Sequence, residues 1–171
     1  MDNQPLLHKG HLGNIRYNRG MKLKSLDTDI IHFFKKASLP FARFGLFVIF
    51  FWFGLLKVIG LSPANSLVQD LFAQTIHFMP FGTFFILFGL YEMLIGILFL
   101  IKGMERIVIP LLFIHMITTF LPLLYLPSIT WSGFMVPTME GQYIIKNFAL
   151  IAAAIGIAAN LHPVKTFREM L

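Results

Sequence analysis

The chain has 171 residues, of which 57% are hydrophobic and only 13% charged, and its mean hydropathy is +0.75. Soluble domains carry roughly a quarter charged residues, so this composition lacks the polar skin of a water-soluble core and is long enough for one domain. There is no cysteine, which excludes disulfide exchange, thiolate nucleophiles, iron–sulfur clusters and cysteine-rich zinc sites.

In chain order, residues 1–39 read as a basic N-terminal tail. Its positive charges, Lys9, Arg16, Arg19, Lys22, Lys24, Lys35 and Lys36, are spread throughout, and no short apolar core precedes a small-residue cleavage site, unlike a secretory signal. Such a tail suits the surface of an anionic bilayer, and its few aromatics give no support to nucleic-acid binding. Four apolar stretches follow within residues 40–161: about Pro40–Leu61, Met79–Ile101, Ile107–Leu126 and Gly141–Leu161. Each approaches the roughly 20 residues that a helix needs to cross hydrocarbon, and none shows the strict alternation of a barrel strand. The expected fold is all-α: a four-helix transmembrane bundle. Residues 162–171 form a short C-terminal tail.

Between the first two spans, Leu67, Val68, Leu71, Phe72 and Ile76 recur at helical spacing, with Gln69, Asp70, Gln74 and Thr75 on the other side. Ser62 and Pro63 suit a helix start. The expectation is a short amphipathic helix on the outer membrane surface, serving either as an anchor or as a lid. The last connection, with Trp131, Phe134 and Pro137, reads as an interfacial loop. Lys and Arg fall in the N-terminal tail, between spans two and three (Lys102, Arg106) and after span four (Lys165, Arg168), and the other two connections have none. The positive-inside rule then puts both termini in the cytoplasm.

Inside the spans stand Lys57, Glu92, His115 and Lys146, accompanied by Tyr143, Asn147 and Thr119. A central charge costs about 2.5–3.5 kcal/mol on insertion scales, so such residues face partners rather than lipid. Gly82, Gly89 and Gly96 repeat every seven residues beside Glu92. Lys146, Ala149, Ala153, Gly156 and Asn160 step by three and four, and Arg43, Phe47, Phe50, Gly54 and Lys57 form a third seam. Small residues along such stripes let helices approach closely. The expectation is a shared polar interior made by Lys57, Glu92, His115 and Lys146, with the lysines either lining it or snorkelling outward. Gly54, Gly82, Gly89, Gly96, Ala153 and Gly156 would act as packing positions.

Three stretches, Phe51-Trp52-Phe53-Gly54-Leu55-Leu56-Lys57, Glu92-Met93-Leu94-Ile95-Gly96-Ile97-Leu98 and Gly141-Gln142-Tyr143-Ile144-Ile145-Lys146-Asn147, resemble the DoxX-like membrane proteins, and within them the YkgB-type subgroup. The likeness runs from about Leu39 to Asn160 in order and spacing. It departs at Gln142, where the subgroup usually has Arg, and at Asn147, where it usually has a carboxylate. The resemblance implies a four-helix bundle of the bacterial inner membrane with a loose link to redox chemistry, since relatives are associated with thiosulfate:quinone oxidoreductase subunits and oxidative-stress resistance.

Three functions remain open on the sequence. One is a redox-linked module that binds a quinone or similar lipophile and works as an accessory subunit of a membrane oxidoreductase. Another is a structural or assembly subunit. The third is a path for protons or a small solute. No catalytic residues, metal, haem or iron–sulfur cluster are expected, and the chain is not expected to be an enzyme in isolation, because no nucleophile set or phosphate loop is recognisable. The pattern does not fix the oligomeric state.

Overall fold

The computed structural model describes residues 7–162, with side chains from Leu26 onward. It contains α1 (Leu7–Val58), α2 (Asn65–Thr75), α3 (Phe81–Leu100), α4 (Glu105–Phe120), the one-turn helices α5 (Pro122–Tyr125) and α6 (Pro127–Thr130), strands β1 (Trp131–Gly133) and β2 (Val136–Pro137), and α7 (Met139–Ala158). Among the described residues, four helical segments are long and apolar enough to cross a membrane: Leu26–Val58, Phe81–Leu100, Glu105–Tyr125 and Met139–Ala158. The protein is a helical membrane protein.

The chain divides into two compact units, Met1–Pro40 and Phe41–Leu171. In the first, α1 already begins at Leu7, within the segment expected as a tail. No proline interrupts residues 6–39, so nothing in the backbone forbids helix there. The side chains of the basic residues Lys9, Arg16, Arg19, Lys22 and Lys24, and the C-terminal tail with Lys165 and Arg168, lie outside the described residues.

In the second unit, glycines bring α1 and α3 together. A Cβ on Gly54 would stand 2.5 Å from the Gly89 carbonyl oxygen, and one on Gly89 would stand 2.7 Å from that of Gly54. Two turns further along α3, Gly96 meets the backbone of Phe51 and Phe47. Gly54 thus faces Gly89 while the earlier Phe51 faces the later Gly96, which makes the two helices antiparallel. Gly82 and Gly156, expected at contacts, would meet nothing within 4 Å. On α7 the buried face is Gly141, Ile144, Ala154 and Ile157 rather than the stripe through Ala153 and Gly156, which leaves Gly156 exposed. Phe120 on α4 packs on Phe148 of α7, with ring centroids 4.9 Å apart.

The segment before α7 is more built than the loop expected there. Trp131 Nε1 donates to the Leu123 carbonyl at 3.0 Å, one of the carbonyls that a one-turn helix leaves free. Strands β1 and β2 pair antiparallel, and Met135 at the turn takes φ 58°, the left-handed region that costs a non-glycine residue. Thr130 is wholly buried, its carbonyl accepts from Thr138 N at 3.0 Å, and Gly141 packs against the same carbonyl. Thr138 then caps α7: its Oγ1 accepts from Gly141 N at 3.2 Å and donates to the Ile129 carbonyl at 2.7 Å. Removing this N-cap with Thr138→Ala should lower thermal stability by about 1 kcal/mol, while Thr138→Ser should retain most of it. Unfolding of the purified variants in detergent would show whether the cap matters.

Candidate functional site

Lys57 lies in the last turn of α1, where a cation complements the helix dipole. Its Nζ donates to Glu92 Oε2 of α3 at 2.6 Å. The other carboxylate oxygen, Glu92 Oε1, lies 3.3 Å from His115 Nε2 of α4. Three helices therefore each contribute one polar side chain to a single cluster, and all three residues are buried, at 6%, 6% and 4% exposure. The close α1–α3 approach makes this possible, since Gly89 is one turn from Glu92 and would carry its Cβ against the Lys57 side chain.

Aromatic rings pack around the cluster. The imidazole of His115 stacks on Phe88 at 5.1 Å, and Phe50 meets it edge-on at 5.5 Å. Lys57 Nζ sits 5.5 Å from the centre of the Phe88 ring, a cation–π distance. Tyr91 donates its hydroxyl to the Leu111 carbonyl at 2.8 Å, tying α3 to α4. The carbonyl of His115 accepts from Thr118 Oγ1 at 2.7 Å and from Thr119 Oγ1 at 3.0 Å. His115 Nδ1 is buried without a hydrogen-bond partner, a deficit worth about 1–3 kcal/mol.

The cluster forms part of the wall of a cavity of about 830 Å³. The rest of the wall is mostly apolar, with Phe50, Phe53, Phe84 and Phe88 among its rings and the Glu140 side chain at its α7 end, and the apolar face of α2 covers one side through Leu67, Leu71 and Phe72. Tyr143 and Asn147 from α7, and Thr119 from α4, also line it. Lys146 does not join the cluster. It is exposed, with Nζ 5.1 Å from the Tyr143 ring centre, so the α7 lysine runs along the helix surface as a snorkelling side chain does.

The hydrogen-bonding capacity left in the cavity is specific. An ammonium has three donors, and Lys57 gives one to Glu92, so two remain for a ligand. Its charge is already matched by the Glu92 carboxylate. The cluster can thus hold an uncharged acceptor, such as a carbonyl oxygen, against an apolar wall. Among the described residues no group of three His, Asp or Glu side chains gathers as metal ligands.

The sequence did not single out a second ion pair, Arg43 of α1 with Glu105 of α4. Glu105 is 6% exposed and sits in the first turn of α4, where a carboxylate is favoured by the free N–H groups. Arg43 stood in the α1 seam, but Glu105 fell in a connection read only for its positive charges. Its place three residues after Lys102, at a helix start, was the available signal.

Comparison of the chain with family models, with curated proteins and with solved structures finds no match.

Proposed function

We propose that this is a small inner-membrane protein of the DoxX-like, YkgB-type kind that holds a quinone-like lipophile in its interior and serves as a redox-linked module. The observation that carries the reading is the apolar cavity of about 830 Å³ whose polar wall is the Lys57–Glu92–His115 cluster. That volume falls within the range of small-molecule sites, which pair apolar walls with a few fixed polar groups. A ring carbonyl would accept from Lys57, and the aromatic side chains would flank the ring. The chain has no cysteine, so no thiol of its own would pass electrons, and in this reading a partner oxidoreductase in or on the membrane supplies them. The distribution of Lys and Arg supports cytoplasmic termini, with α2 and the hairpin on the opposite side.

The test is binding. Protein purified in native lipid should release a quinone on solvent extraction, and decyl-benzoquinone should bind saturably. Lys57→Met should weaken that binding by about tenfold, the equivalent of about 1.4 kcal/mol. Extracts free of quinone, with no saturable binding, would end this reading.

One observation favours a second reading, a structural or assembly subunit. Gln142 and Lys146 are exposed polar residues on a membrane-spanning helix, and Gly156, towards the other end of that helix, is open. An adjoining helix could hydrogen-bond the Gln142 amide and pack against the open Gly156. A fixed partner that co-purifies and is lost in Gly156→Leu would support this role.

A further inference from the structure

Resting on the reading of the cavity as a ligand site, we propose that the ligand reaches it sideways from the hydrocarbon, through the seam between α1 and α7 flanked by Phe53 and Tyr143. On this view α2 is a fixed cover rather than a door to water. The ligand class follows: a lipophile dissolved in the bilayer, with an uncharged hydrogen-bond-accepting head.

The faces of α1 locate the seam. Phe47, Phe51 and Gly54 mark the side that meets α3. At about 100° per residue, Phe50 and Lys57 come next round the helix and face the cluster. Ile49 and Phe53 lie further round, away from α3, and both line the cavity. On α7, Phe148 marks the side that meets α4, whereas Tyr143, Asn147 and Leu150 line the cavity from the opposite flank. Each helix thus turns toward the cavity the flank that its packed neighbour does not cover. Phe53 is 46% exposed and Tyr143 63% exposed although both are cavity walls, so the wall runs out to the surface here. Between the Phe41–Val58 part of α1 and α7 there is no ion pair, hydrogen bond or ring contact among the described residues.

The α2 side is closed by contrast. Phe72 is buried, its ring 5.5 Å from that of Phe81 and 5.0 Å from that of Phe84, and α2 also rests on α5. Lifting α2 would expose this aromatic cluster, whereas parting α1 from α7 breaks no such contact. Charge points the same way. Lys57 is neutralised by Glu92, so a carboxylate-headed amphiphile gains no free cation, while a neutral carbonyl loses little on leaving water.

The absence of native cysteine makes the test direct. A Phe53→Cys/Tyr143→Cys variant in lipid nanodiscs is loaded with tritiated decyl-benzoquinone, and its exchange against unlabelled ligand is timed before and after bridging with cleavable bifunctional thiol reagents of graded length. Bridging should slow exchange on the order of tenfold, and cleavage of the bridge should restore it. The corresponding bridge in Ala73→Cys/Phe81→Cys, which fastens α2 through residues outside the cavity wall, should leave the rate as it was. Tyr143→Ala, which widens the seam without a bridge, should speed exchange. Unchanged exchange across a complete Phe53–Tyr143 bridge, or slowing only when α2 is fastened, would overturn lateral access while leaving the binding site standing. Absence of saturable binding in the wild type would remove the site and this proposal together.

Discussion

Glu92→Gln should destabilise the bundle by about 3–5 kcal/mol, the usual cost of leaving a buried charge without its partner. Lys57 is the charge left behind: its side chain is 7% exposed and Glu92 is its only ion-pair partner among the described residues. Lys57→Met should cost less, because the Glu92 carboxyl that remains keeps His115 Nε2 3.3 Å from its Oε1, whereas Lys57 without Glu92 keeps no partner of opposite charge among the described residues. The double variant Lys57→Met/Glu92→Met should recover most of the loss, since an ion pair in a low-dielectric interior can often be exchanged for apolar side chains at little cost. A double-mutant cycle of unfolding in detergent measures the coupling. A neutral Glu92→Gln would mean that Lys57 reaches water, and the cluster would no longer be a closed polar wall. The double variant has a second use. Folded but stripped of its donor, it should still bind decyl-benzoquinone about tenfold more weakly than the wild type, which separates the role of the pair in stability from its role in recognition.

Enlarging Gly54 should be the most disruptive change to the α1–α3 contact. Its missing Cβ would meet the backbone of Gly89 and Met93 at 2.5 and 2.8 Å, and backbone cannot yield as the end of a side chain can. Gly54→Leu therefore separates the helices, at a cost of about 1–3 kcal/mol or more, and draws Lys57 away from Glu92. Both stability and ligand binding should fall together. Gly82→Leu is the control, a glycine of the heptad-spaced α3 series with open space around it, and it should leave the unfolding temperature in place. Equal effects from the two substitutions would show that helix propensity, and not close approach, sets the outcome.

The contrast between those two glycines shows what a membrane sequence reveals. Span positions follow from length and hydropathy, because hydrocarbon imposes both. The meeting of Lys57, Glu92 and His115 was also legible, since a charge deep in a span must find company and three helices each offered one candidate. Helix faces were harder to read. In water an apolar stripe marks the core, but in lipid both the inner and the outer faces are apolar, so small-residue spacing was the remaining clue. That clue worked for Gly54, Gly89 and Gly96, which touch backbone. It misassigned the α7 stripe, where Gly156 is open and the buried positions are Ile144, Ala154 and Ile157. Lys146 followed the same stripe outward. Glu105 escaped notice for a different reason: it sits at the start of a span, where a carboxylate has no insertion cost that demands an explanation.

The two cations on α1, Arg43 and Lys57, have their counter-charges on later helices, Glu105 at the start of α4 and Glu92 in the middle of α3. During synthesis the first span therefore emerges carrying two positive charges and no acid among residues 41–58. It gains its first neutralising group when α3 arrives and its second with α4. A chain that stops before Glu92 would leave a poorly inserted first segment, and one that stops before Glu105 a half-compensated one. Full compensation of the charges on α1 is thus tied to the arrival of both α3 and α4.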